Sequence, residues 1–258
     1  MLKITILTLF PQYFDSFLEN SIIARTISKQ IVEFKIVNIR DYTTDKYHRV
    51  DDHPCGGGAG LIMKMQPIVD ALKDNDYLSS KVILMSPHGA TYNQQKAIEL
   101  SKETNITLIC GHYEGIDSRI DNYIDEKISI GDYILTGGEV GAIAISDSVT
   151  RLLDGAIADE STEEESFNDG LLEYPQYTFP YDYDGYKIPD ILFSGNHEAI
   201  KRYHKRESFR LTRELRPDLF NKYSFSKQDK KILQELDNNE ISRIEKEALI
   251  KGERFLKK

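Results

Sequence analysis

At 258 residues, with 40% hydrophobic and 29% charged side chains, the chain has enough apolar material for one large globular domain or two smaller ones. Its formal net charge of −9 gives no overall attraction for nucleic acid, so any such role must rest on clustered basic residues. Two cysteines, Cys55 and Cys110, exclude a disulfide framework and fit a reducing cytoplasm, and no apolar run reaches membrane-spanning length.

The opening MLKITILTLFPQYF is apolar but short. It is interrupted by Pro11 and lacks a basic leading region, so a first strand is expected there and not a signal peptide. Alternation predicts strands over Lys3–Leu9 and Ile31–Ile39. Between them Phe14, Phe17, Leu18 and Ile22 recur at helical spacing and predict a helix over Phe14–Ser28. Arg40 to Gly60 is polar and irregular and ends in HPCGGGAG. A helix begins around Pro67 and runs to Leu72. Lys81–Met85 is a short apolar strand followed by Ser86-Pro87-His88-Gly89. A helix over Asn93–Ser101, a strand over Ile106–Cys110, the loop Gly111–Gly115 and a short helix over Ser118–Ile124 come next. A strand through Lys127–Ile130 then feeds a loop with Gly131, Gly137 and Gly138, and an apolar, small-residue helix over Val140–Leu153. Strands alternating with helices imply a mostly parallel sheet covered on both faces.

The character changes after Asp154. Asp159–Glu165 is acidic, has no apolar face and predicts a flexible linker. Pro175, Pro180, Pro189 and several tyrosines punctuate an extended segment. His197–Leu215 then predicts a helix with Asn196 as N-cap. That helix carries Lys201, Arg202, Lys205, Arg206, Arg210 and Arg213, with Arg216 just beyond it. The remaining residues are charged and helical in period, with Ile232, Leu233, Leu236, Ile241, Ile244, Leu249 and Leu256 as the expected buried stripe. The expected organisation is an α/β domain over residues 1–159, a linker over 160–170 and a small helical domain over 171–258.

Three consecutive strand ends carry unusual loops: Ser86-Pro87, Gly111–Gly115 and Ser129–Gly138. In a parallel sheet such loops gather on one edge, where small molecules bind. Familiar phosphate cradles are missing: there is no GxGxxG after a strand, no GxxxxGK[ST], no nucleophile elbow and no HExxH. An oxidoreductase is therefore disfavoured.

The segments SPHGATYNQ, CGHYEGIDSRI, SIGDYILTGGEVGAIAISDSVTRL, SFNDGLLEYPQYT and SGNHEAI resemble the bacterial tRNA (guanine-N1)-methyltransferases of the TrmD family, in the knotted SPOUT class. The blocks occur in the same order from the first strand to about Phe220; the last ~40 residues carry no such motif. The resemblance implies a deep trefoil knot in the α/β domain, a cytoplasmic homodimer with sites shared between subunits, and S-adenosylmethionine as methyl donor to N1 of guanosine 37 of tRNA. It implies donor contacts at Met85, Ser86 and Pro87, at Gly111, Tyr113, Glu114 and Gly115, and at Ser129, Ile130, Gly131, Tyr133, Leu135, Gly137 and Gly138. It implies Asp169 as the base that takes the N1 proton, Arg151 as the cation that stabilises charge on guanine O6, and a magnesium-linked role for Glu114.

Bland roles stand beside these. Asp169 alone reads as the cap of a helix near Gly170, Arg151 as a cation at a helix C-terminus, and Glu114 as a partner for Arg119 or for a hydrogen bond within its loop. The basic helix suits phosphate contacts through Lys201, Arg202, Lys205, Arg206 and Arg210, or is an ordinary solvated face. Ala59 stands where the family often has Pro, and Phe179 where Arg is common. The rivals to a guanosine-37 methyltransferase are a methyltransferase acting on another RNA base and a non-catalytic RNA-binding protein with a vestigial donor pocket.

Overall fold

A computed structural model describes residues 1–157 and 166–256. The chain divides into two compact units, Met1–Thr162 and Glu163–Lys258. The acidic stretch expected as a linker lies outside the described residues as far as Glu165.

The first unit is built on a five-stranded parallel sheet: β1 (Leu2–Thr8), β2 (Val32–Asn38), β3 (Lys81–Thr91), β4 (Asn105–Cys110) and β5 (Glu126–Ser129), in the order β2-β1-β4-β3-β5. The period-2 geometry of a strand sends alternate side chains to opposite faces. Ile4, Ile6, Ile83, Met85, Leu108 and Cys110 enter one apolar core. Leu7, Val82, Leu84 and Ile109, their sequence neighbours, enter the other. Helices α1 (Ser21–Ser28), α2 (Met65–Asp74), α3 (Gln94–Leu100) and α4 (Glu139–Thr150) belong to the same unit.

Two elements depart from the local pattern. The single helix expected over Phe14–Ser28 is interrupted. Asn20 is extended and its side-chain amide donates to Ser16 O at 2.8 Å, closing the short helix Asp15–Glu19 before α1 begins. Likewise β3 does not stop at Met85. Met85 and Ala90 both pair with Ile128, so Ser86–Gly89 loop out of the sheet and the chain returns to the same strand. A Cβ on Gly89 would lie 2.4 Å from the Ile128 backbone, so only glycine permits that return.

In the second unit Asp182–Tyr183 and Tyr186–Lys187 form a hairpin, with positive φ at Asp184 and Gly185 making the tight turn. Helix α5 (His197–Leu215) starts where expected, the Asn196 side chain accepting from Ala199 N at 3.2 Å. Helix α6 (Lys227–Asp237) opens with a capping box between Ser226 and Asp229, and α7 (Arg243–Leu256) follows. Their apolar faces form small cores around Ile191, Ala199, Tyr203 and Ala248, and around Leu171, Phe209 and Ile232. Ile232, Leu233, Ile244 and Leu249 of the expected stripe are among these packed residues.

Candidate active site

The loops after Met85 of β3, after β4 and after β5 enclose a cavity of about 640 Å³, a volume suited to a nucleoside-sized ligand. Every donor-loop residue expected from the sequence lines it: Met85, Ser86 and Pro87; Gly111, Tyr113, Glu114 and Gly115; Ser129, Ile130, Gly131, Tyr133, Leu135, Gly137 and Gly138. Leu84, Ile116, Ile128, Ile130 and Leu135 give apolar walls, and Gly111, Gly115, Gly131, Gly137 and Gly138 line the cavity without side chains to fill it. Among the lining charges Lys127 is paired with Asp121 at 2.8 Å, which leaves the Glu114 carboxylate to set the local sign. An apolar wall with one anion suits a flat base attached to a cationic group better than it suits a polyphosphate.

Glu114 is held by the segment that the glycine-rich stretch leads into. Its N–H donates to Leu61 O at 3.0 Å, and a Cβ on Gly60 would fall 2.3 Å from Glu114 Cγ. Arg119 does not pair with Glu114. It forms a 2.6 Å ion pair with Asp117, whose carboxyl it holds down at about 2. Among the described residues no group of three or more His, Cys, Asp or Glu could hold a metal ion, so the magnesium-linked role of Glu114 gains no ligand set.

The glycine pair sits close against β4. A Cβ on Gly138 would lie 2.7 Å from Cys110 Cα, and Gly138 N–H donates to Gly111 O at 3.0 Å. Immediately after it Glu139 is 2% exposed. Its Oε1 accepts from Thr8 Oγ1 at 2.6 Å, and its Oε2 is 2.8 Å from His112 Nε2. The sequence reading did not single out Glu139, His112 or Thr8. An acidic residue in a first helical turn is a routine dipole partner, and nothing local tells that this one is buried.

Arg151 caps the far end of α4 and does not line the cavity. At 1.5 Å rise per residue it lies roughly 20 Å along the helix from Gly138. Asp169 belongs to the second unit. Its Oδ1 accepts from Leu171 N at 3.1 Å and its Oδ2 from Lys205 Nζ at 2.9 Å, while 54% of the side chain stays exposed. No helix follows it; residues 172–179 run without regular structure, so the helix-cap role has no helix to serve.

The basic face of α5 is divided. Lys201 is exposed. Arg202 and Arg206 turn onto Glu245 of α7, at 3.2 and 3.0 Å, and that carboxylate is only 1% exposed; Arg202 also pairs with Glu235. Lys205 lies over the rings of Phe209 and Tyr223 at 5.2 and 5.1 Å. Arg210 pairs with Glu207 and Glu214 on its own helix. His204 stacks on Tyr174 with centroids 3.5 Å apart. Phe179 is 76% exposed and meets Phe193 edge-on. No described helix is long and apolar enough to cross a membrane.

Comparison with known proteins adds to this geometry. The family model described as tRNA (Guanine-1)-methyltransferase TrmD matches residues 2–222. A tRNA (guanine-N(1)-)-methyltransferase of Clostridium botulinum (strain Langeland / NCTC 10281 / Type F) is 52% identical over 238 residues, covering 92% of this chain and 99% of that protein. One of Clostridium perfringens (strain SM101 / Type A) is 50% identical over 234 residues, covering 90% and 99%.

Proposed function

Because the chain belongs to the tRNA (guanine-1)-methyltransferase TrmD family, we propose that it methylates N1 of guanosine 37 in tRNA, beside the anticodon, with S-adenosylmethionine as donor. The observation that carries this is the cavity at the strand ends. Its apolar walls suit an adenine ring, and the Glu114 carboxylate suits a cationic sulfonium and ammonium. The residues present therefore fit the donor, which supplies an activated methyl group when bound. Met85, Ser86 and Pro87, the Gly111–Gly115 loop and the Ser129–Gly138 loop would hold it.

The chain's own groups then have defined tasks. N1 of guanine carries a proton that must leave as the methyl arrives, and the exposed carboxylate of Asp169 can accept it. Negative charge grows on guanine O6, and the Arg151 guanidinium can offset it. Arg151 sits a helix length from the cavity of its own chain. That separation supports a homodimer in which Arg151 and Asp169 of one subunit complete the cavity of the other. The exposed apolar side chains at the cavity and the start of α4 support the same reading: Tyr133 at 56%, Ile134 at 83% and Val140 at 47%.

In this reading residues 1–159 form the donor domain, knotted where the three loops meet. Residues 160–170 are a linker and 171–258 the tRNA-binding domain. Lys201, Lys205 and Arg210 offer charge to phosphates; Arg202 and Arg206 act mainly through Glu245. The site works in the cytoplasm.

Incubation of bulk tRNA with the protein and donor, followed by nuclease mapping and nucleoside mass spectrometry, tests the proposal. The expected product is 1-methylguanosine at nucleotide 37. A methyl group on another base would support the rival RNA methyltransferase, and donor-independent RNA binding without any methyl product would support the non-catalytic one.

A further inference from the structure

The methyl-transfer reading leaves the buried carboxylate of Glu139 without a task. A buried carboxylate is costly unless its oxygens are hydrogen-bonded, and here both are engaged, by Thr8 and by His112. The three residues come from different places. Thr8 ends β1, His112 belongs to the loop after β4, and Glu139 follows the glycine pair after β5. One carboxylate thus ties together two of the cavity's loops and the end of a strand.

The pair is held from other sides as well. The ring of Phe10 packs on His112 at 4.7 Å between centroids, and the backbones of His112 and Gly137 form an antiparallel bridge. A Cβ on Gly137 would fall 2.1 Å from His112 Nε2 and 2.4 Å from Glu139 Oε2. The backbone of Gly137 therefore rests directly on the Glu139–His112 pair. This glycine is needed for space. The N-terminus of α4 also favours the negative charge at this spot.

We propose that Glu139, acting through His112 and Thr8, is a positioning residue that locks the Gly137-Gly138 backbone onto the Gly111–Gly115 loop in the geometry that binds the donor. The inference rests on the donor reading of the cavity. A purely structural anchor would lower thermal stability and leave donor affinity per folded molecule unchanged; a positioning residue changes that affinity.

The test uses the full-length protein, S-adenosylhomocysteine as calorimetric probe, and thermal denaturation to establish folding. Glu139→Gln should weaken S-adenosylhomocysteine binding by about tenfold or more, as loss of a charge-assisted hydrogen bond implies. The loss should fall on the KM for donor far more than on kcat. Thr8→Val approaches the same contact from the strand and should weaken binding by about threefold or more. Added to Glu139→Gln it should cost little further, because the two act through one contact. Wild-type affinity in folded Glu139→Gln overturns the inference while the donor reading stands. If Glu139→Gln does not fold, Thr8→Val decides, and unchanged affinity there overturns it equally. Absence of binding by the wild-type protein overturns the donor reading and this inference with it.

Discussion

Asp169 and Cys110 show how far a single side chain's surroundings fix its chemistry. Asp169 is exposed enough to meet a substrate and is aimed by Leu171 N–H and Lys205. Asp169→Asn keeps its size and removes its ability to take a proton, so kcat should fall by about 10²–10⁴ with S-adenosylhomocysteine affinity nearly intact. Unchanged turnover in steady-state assays would remove Asp169 from the chemistry. Cys110 is fully buried, and burial, aided by the nearby Glu139 charge, pushes its thiol well above the usual range. Cys55 is exposed. Titration of the native protein with a thiol reagent at mildly alkaline pH should modify Cys55 and spare Cys110, which should react only on unfolding. Rapid reaction of Cys110 in the folded protein would contradict the packing beneath the glycine loop. The gathering of three loops around one cavity was legible in the sequence because glycines and a proline mark them. Glu139, His112 and Thr8 were not, since their burial depends on strand ends brought together from distant parts of the chain.

At the scale of elements, α5 and α7 are joined by a buried ionic contact. Glu245→Gln leaves Arg202 and Arg206 facing a neutral partner in a low-dielectric setting. Stability measured by urea unfolding should fall by about 3 kcal/mol, the scale for breaking a buried ion pair. Lys201→Met should leave stability within about 0.5 kcal/mol, as surface changes do. It should instead weaken tRNA binding and make it less steeply dependent on salt. Equal effects of the two substitutions on stability would contradict the division of the basic face. The span and N-cap of α5 were legible from periodicity and from Asn196. Which of its arginines turn inward was not, because that depends on the arrival of α7, about thirty residues beyond α5 in sequence. The return of β3 after its looped-out residues escaped for a related reason. Ser86-Pro87 reads locally as a strand end, and only pairing with Ile128 restores the strand.

At the scale of the molecule, the cavity belongs to the first unit alone, whereas Asp169 belongs to the second and Arg151 lies at the far end of α4. The proposed site, assembled from two chains, accounts for these placements. It predicts complementation between chains that are each inactive alone. Gly138→Val should disable the cavity, since a side chain there meets the Cys110 backbone, and Asp169→Asn removes the proposed base. The decisive measurement is tRNA methylation by purified mixed dimers containing one chain of each kind. Such a dimer pairs an intact cavity with an intact base across the interface, and should recover about half the wild-type activity through one working site. A dimer carrying both lesions on one chain, beside a wild-type partner, should be inactive. Activity in the second arrangement and none in the first would show that each subunit completes its own site, and would contradict the shared-site account.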